Sequence, residues 1–215
     1  MIDYLKTRPY ILVTLLLIVF YAVGLAGLFY NPTKHIIIFL IPYTILMNFI
    51  LMMFFHKGWS RTFILISAIT AIAGFLVEAI GVSTGIIFGE YSYGSRMGLK
   101  IFHTPLLIGI NWVFVVYTAF MITRNFQRSW LIKALTGALL LVLYDLLLEP
   151  FAMSYDMWDW KGGVVPVQNY LAWFILSFVF LTMFIKSGID IRNKIAIPIV
   201  LIQSSFFLVL FISGY

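Results

Sequence analysis

Cysteine is absent from this chain of 215 residues. That excludes disulfides, thiolate metal ligands and cysteine nucleophiles. Charge is scarce as well: 10% of residues are Asp, Glu, Lys or Arg, against about 25% in an ordinary soluble domain. No HxxH or HExxH spacing occurs, so a metal site has little support. Walker loops, GxGxxG turns and nucleophile elbows are also missing, which removes the common nucleotide-dependent and serine-hydrolase chemistries.

Apolar sequence fills the space that charge leaves. Hydrophobic residues make up 63% of the chain, in unbroken runs long enough to cross a bilayer. Seven spans are expected, near 9–29, 35–55, 62–82, 104–123, 129–149, 168–186 and 195–213. Each is roughly 20 residues, enough for a hydrocarbon core of about 30 Å at about 1.5 Å per residue. The reading is an all-α integral membrane protein, a single polytopic domain over 1–215 with no separate soluble part. The first span is followed by Tyr30, Asn31 and Pro32, not by a small-residue cleavage site, and is expected to be retained.

The fourteen Lys and Arg residues alternate in density along the chain. Ten fall beside the N-terminus and the even-numbered connections, including Lys6, Arg8, Arg61, Arg124 and Arg192; four (Lys34, Arg96, Lys100, Lys161) fall on the other side. By the positive-inside rule the N-terminus is cytoplasmic and the C-terminus outside, as expected of a multi-pass protein in a cytoplasmic membrane. The net charge of +6 then reflects topology and lipid headgroups, and nucleic acid is not an expected partner. Oligomeric state is not encoded: Gly24 and Gly27 stand three apart and do not form a GxxxG face.

Three acids interrupt the apolar runs: Glu78, Asp145 and Glu149. A carboxylate in hydrocarbon costs about 3 kcal/mol or more, so intramembrane acids read first as functional groups. Counted from the basic ends of their spans, all three lie in the outer third of the membrane. Asp145 and Glu149 are four apart and share a helix face. Two like charges in a low dielectric do not both ionise cheaply, so one of the pair is expected to keep its proton at neutral pH. A protonated acid beside a carboxylate can both give and take a proton. Structural readings stand beside this one. Glu149 precedes Pro150 and could end its helix at the interface, Asp145 could bond a neighbouring helix, and Glu78 could be helix-end polarity.

The two long connections resemble each other. One module runs Glu78, Tyr91-Ser92-Tyr93, Pro105, Trp112; the other runs Glu149, Trp158-Asp159-Trp160, Pro166, Trp173. In both, Pro and Trp are seven residues apart and Pro is placed to open a helix. A weak internal repeat, 74–115 against 145–176, accounts for this, and so does coincidence. The aromatic pairs also suit the headgroup region on their own. Asn111 and Asn169 fall within apolar spans and need partners, as waters, carboxylates or other helices. His103 could relay protons or sit at the interface; His35 and His56 look interfacial, and Asn48 looks structural. Glu90, Asp156 and Asp159 belong to solvated loops.

The segments EAIGVSTGIIFGEYSY (78–93), HTPLLIGINW (103–112), DLLLEP (145–150), WDW (158–160) and VPVQNYLAW (165–173) resemble the integral-membrane carotenoid biosynthesis proteins. That family includes cofactor-free hydratases acting on acyclic carotenoid ends, such as those of γ-carotene and bisanhydrobacterioruberin. The resemblance covers roughly 60–185. It implies a hydrophobic carotenoid substrate taken from the lipid bilayer and addition of water across its terminal C1=C2 bond. Glu78 and Asp145 would be the central catalytic pair with Glu149 in support. Tyr91, Tyr93, His103, Asn111, Trp112, Trp158, Trp160, Asn169 and Trp173 would line the substrate. Aromatic faces suit the tertiary cation such a reaction forms. A carotenoid cyclase would begin with the same protonation. A small transporter or binding subunit would also keep intramembrane acids. A retinal protein would need a lysine in the last span, and 195–213 has none.

Overall fold

A computed structural model describes residues 8–214; Lys6 and the N-terminal end of the charge count lie outside them. Among the described residues seven α-helices run α1 (Pro9–Phe29), α2 (Asn31–Phe54), α3 (Arg61–Thr84), α4 (Leu107–Thr123), α5 (Trp130–Ser154), α6 (Val167–Lys186) and α7 (Ala196–Ser213). Six are long and apolar enough to cross a membrane. The exception, α4, has seventeen residues of which thirteen are buried, whereas α1 buries three of twenty-one. So α4 is the axis of the bundle, and its apolar surface meets protein; that of α1 faces lipid. A helix that is apolar all round fits either setting.

The ends of the helices follow local chemistry. Ser60 Oγ accepts from Phe63 N at 3.1 Å and opens α3, Ser129 does the same for α5, and Gly85 closes α3 in the left-handed region. Three expected boundaries moved. α2 starts at Asn31, with Pro32 in its first turn. α4 starts at Leu107, so Pro105 does not open it; Pro105 lies in a short strand, β3 (Thr104–Pro105), against β2 (Lys100–Ile101). Pro150 does not end α5: the helix runs on to Ser154, and Glu149 is therefore not a terminal residue. Bundles tolerate proline inside a spanning helix when packing and side chains compensate for the missing bond.

The connections gather at two ends. At one end the 55–60 loop bonds the 187–195 loop through reciprocal Lys57 and Arg192 backbone pairs at 2.9 and 2.8 Å, and Arg124 meets Asp190 at 3.1 Å. His56 is not interfacial there. It is 4% exposed, stacked on Phe63 and 2.8 Å from Tyr117 Oη, which also accepts from Asn193. At the other end the two long connections form one roof. Strand β1 (Tyr91–Tyr93) pairs antiparallel with β4 (Trp158–Trp160), Tyr91 opposite Trp160 and Tyr93 opposite Trp158. Beside this ribbon, Gly94 N donates to Met157 O, and a Cβ on Gly94 would lie 2.1 Å from Asp156 O. Only glycine permits that approach.

Candidate functional site

The pleat of the roof decides what faces inward. Side chains alternate along a strand, so Ser92 and Asp159 point out and are exposed, while the four aromatic residues point down. Glu78, six residues before the end of α3, meets them. Its Oε2 accepts from Tyr91 Oη at 2.6 Å and Tyr93 Oη at 2.8 Å; its Oε1 accepts from Trp112 Nε1 at 3.2 Å. Glu149 is held likewise on α5. Its Oε2 accepts from Trp158 Nε1 at 2.9 Å and Trp160 Nε1 at 2.8 Å. Asn169 Nδ2, from the first turn of α6, donates to Asp145 Oδ2 at 2.7 Å and approaches Glu149 Oε1 at 3.4 Å. Asp145 Oδ1 is buried with no hydrogen-bond partner among the described residues.

All three acids are buried, at 5%, 1% and 2% exposure for Glu78, Asp145 and Glu149. None is helix-end polarity. Burial, and then the Glu78 charge, push the hydroxyls of Tyr91 and Tyr93 above the ordinary tyrosine range, so both remain donors at neutral pH. Trp112 stacks on Trp173 with ring centroids 4.6 Å apart and an interplanar angle of 29°. Trp112 is seated by Gly74, where a Cβ would come 2.6 Å from the indole. The sequence thus places a small residue opposite a large one, and the indole N–H reaches Glu78 as a consequence.

These groups line one cavity of about 210 Å³. Of the residues expected at the site, Glu78, Tyr91, Tyr93, Asn111, Trp112, Asp145, Glu149, Trp158, Trp160, Asn169 and Trp173 are all on its wall. His103 is not. It is exposed at the tip of the β2–β3 hairpin, where Phe102 and His103 adopt positive φ of 51° and 61° to make the turn. Among the described residues, no Lys, Arg or His lines the cavity, and no three His, Asp or Glu converge to hold a metal ion. The wall also includes residues that sequence reasoning passed over. Tyr21, Thr44 and Gln203 bring α1, α2 and α7 into the site, and Gln203 Oε1 is buried without a partner. A lone carboxamide within the apolar α7 was the available signal for Gln203.

A multi-pass bundle of apolar helices enclosing buried acids beneath an aromatic roof, with no cation among the described residues of its wall, is an all-α membrane protein whose interior fits a hydrophobic substrate. Residues 35–215 match the family model described as "Carotenoid biosynthesis protein", and the chain belongs to that family. One relative is a bisanhydrobacterioruberin hydratase of Haloarcula japonica, 26% identical over 121 residues, covering 50% of this chain and 40% of that protein. The match thus spans less than half of the relative's length. No solved structure matches the chain.

Proposed function

We propose that this protein adds water to the terminal C1=C2 double bond of an acyclic carotenoid end. The observation that carries this reading is a cavity holding three carboxyl groups and, among the described residues, no basic side chain. Such a wall disfavours anions and attracts a positive charge that forms within it. At roughly 4 Å, a carboxylate and a cation interact by about 4 kcal/mol at an effective dielectric of 20. The aromatic faces of the roof add quadrupole attraction without offering a nucleophile.

The hydrogen bonding supports a division of roles. Glu78 accepts from three donors, an arrangement that suits a fixed carboxylate whose charge balances the cation. Asp145 has one donor on Oδ2 and none on Oδ1, which suits the acid that keeps its hydrogen. Asp145 protonates C2, and the alkene's electron pair forms the new C–H bond. The tertiary C1 cation is then captured by water, whose proton passes to Glu149 through Oε1, the oxygen with only a long contact to Asn169. Asn169 spans Asp145 and Glu149, and return of the proton between these neighbours restores the acid. One C–H and one C–O bond form, and no cofactor is consumed. Gln203 and Asn111 supply polar wall where that water can sit. The bias of basic residues toward the opposite end supports an outward-facing site.

The test is pigment extraction from a bacterial host that makes lycopene or γ-carotene and expresses this chain. A product heavier by one water, absent without the chain, is expected. A product of unchanged mass would instead identify a cyclase, and no new pigment from well-expressed protein would refute both.

A further inference from the structure

A carotenoid is about as long as the hydrocarbon core is thick, roughly 30 Å. A cavity of about 210 Å³ encloses an end group and not the whole polyene, so the remaining chain must leave through an opening. The roof does not offer one for an apolar tail, since that end faces water and the β1–β4 ribbon crosses it. The opposite wall differs. Phe20, Val23 and Gly24 of α1, and Leu40 and Thr44 of α2, line the cavity. Phe20, Val23 and Leu40 are also exposed on the flank of the bundle, at 40%, 62% and 37%.

The spacing fits a window with one helix on each side. Positions 20, 23, 24 and 27 share a face of α1; positions 37, 40, 41, 44, 45 and 48 share a face of α2. Two ties frame the gap. Near the α1–α2 joint, Thr33 Oγ1 donates to Gly27 O at 2.9 Å, and a Cβ on Gly27 would meet Ile37 at 2.8 Å. Further down, Asn48 Nδ2 donates to Tyr21 Oη at 2.6 Å. Between these ties Gly24 carries no side chain, and a Cβ there would find only Phe206, at 4.0 Å. Pro42 lies within α2 at this level and removes a backbone bond that would otherwise straighten the helix.

The level is that of the acids. The joint at Tyr30 is at the roof end, because Lys34 lies over the Tyr155 ring at 5.4 Å. Gly24 is about 9 Å from the joint along α1 and Leu40 about 14 Å along α2; Glu78 and Asp145 stand about 9 and 14 Å from the roof ends of their helices.

We propose that the gap between α1 and α2 is a lateral portal, through which the carotenoid end group enters from the bilayer and in which the polyene tail remains during the reaction. The proposal rests on the carotenoid reading above for its occupant. The native chain has no cysteine, so single-cysteine variants can be labelled cleanly. Val23→Cys and Thr44→Cys are made in full-length protein in liposomes, with Leu139→Cys as control; Leu139 is 56% exposed on α5 and outside the cavity wall. Each variant is treated with a bulky membrane-permeant maleimide and compared with itself before treatment.

Two readouts are taken. Carotene in the liposomes is expected to slow alkylation at Val23→Cys and Thr44→Cys and not at Leu139→Cys, and this is measured also in an Asp145→Asn background, where turnover is not needed. Alkylation is expected to lower hydration by roughly tenfold or more at the two window positions and not at the control, as misplaced substrates typically do. Carotene protection without hydration by any variant would sustain the portal and overturn the hydratase. Hydration that survives alkylation at both window positions, with no protection by carotene, would overturn the portal and leave the hydratase standing.

Discussion

Asp145→Asn is the sharpest test of the proposed proton transfer. The substitution preserves shape. The new carbonyl can accept from Asn169 as Oδ2 does at 2.7 Å, and the new amide nitrogen takes the place of Oδ1, which has no protein partner. An Asn side chain is close to an isostere of a protonated Asp, so folding should be nearly unaffected. Only the transferable hydrogen is lost. A positioned general acid contributes about 10²–10⁴ in rate, and each factor of ten corresponds to about 1.4 kcal/mol. The barrier should therefore rise by about 3–6 kcal/mol. Membranes with matched amounts of wild-type and variant protein are supplied with the carotene, and the hydrated product is followed by mass over time. Rates within about threefold of wild type, with an unchanged unfolding midpoint, would rule out Asp145 as the donor. A second measurement separates a chemical from a binding defect: carotene should still protect the window cysteines in this variant.

Glu78→Ala should be worse than Glu78→Gln for folding, because Trp112 Nε1 can only donate and would lose its acceptor, whereas Gln can keep its oxygen there while Tyr91 or Tyr93 turns to accept; thermal unfolding in detergent checks the order, and both variants should lose hydration. Trp160→Phe removes the 2.8 Å bond to Glu149 in a residue 6% exposed and should destabilise by about 2 kcal/mol, the worth of a bond to a charged group; an unchanged midpoint would count against an ionised Glu149. Gly74→Val should push Trp112 off Glu78 and cost about 1–3 kcal/mol by overpacking, visible as lower stability together with lost activity. The roof carries its own pH response. Ser95 Oγ, at 2.7 Å, holds the Asp156 carboxyl below its ordinary value of 3.8. A lowered folded value means the latch is complete above the ordinary value and is lost as pH falls through the lowered one. The contribution of this Ser95–Asp156 bond to the roof's resistance to proteolysis, read against Asp156→Asn, should therefore be constant from neutral pH down to about 4 and fall only below it.

The spans were legible because a bilayer imposes length and apolarity on every crossing helix. The acids were legible for the converse reason: a carboxyl in an apolar run has no cheap structural excuse. Local rules failed where packing overrides them. Pro150 reads as a helix end from sequence, yet α5 continues through it, which carries Glu149 inward under Trp158 and Trp160. Pro105 drew attention to His103, but two residues at positive φ turn that imidazole outward. The aromatic-x-aromatic pairs were visible as similar modules. Their pairing as strands was not, because three-residue strands carry too little pattern to announce a partner. The apolar half of the cavity left no trace at all: Phe20, Leu40 and Phe206 would read the same if they faced only lipid.

That last ambiguity divides the cavity into two walls with separable effects. The acids and their donors come from α3, α4, α5, α6 and the roof, all within the family match that begins at residue 35. α1 lies before that match, yet Phe20, Tyr21, Val23 and Gly24 complete the side of the cavity that faces lipid. Polar partners fix a reacting group in space, whereas apolar contacts made equally in ground and transition states bind without accelerating. Substitutions on the acid wall should therefore lower kcat with little change in KM, and enlarging Gly24 or Val23 should raise KM for a long carotene more than it lowers kcat. Were Gly24→Leu to cut kcat at saturating carotene while leaving KM alone, the two walls would not be independent, and α1 would have to be shaping the acids themselves.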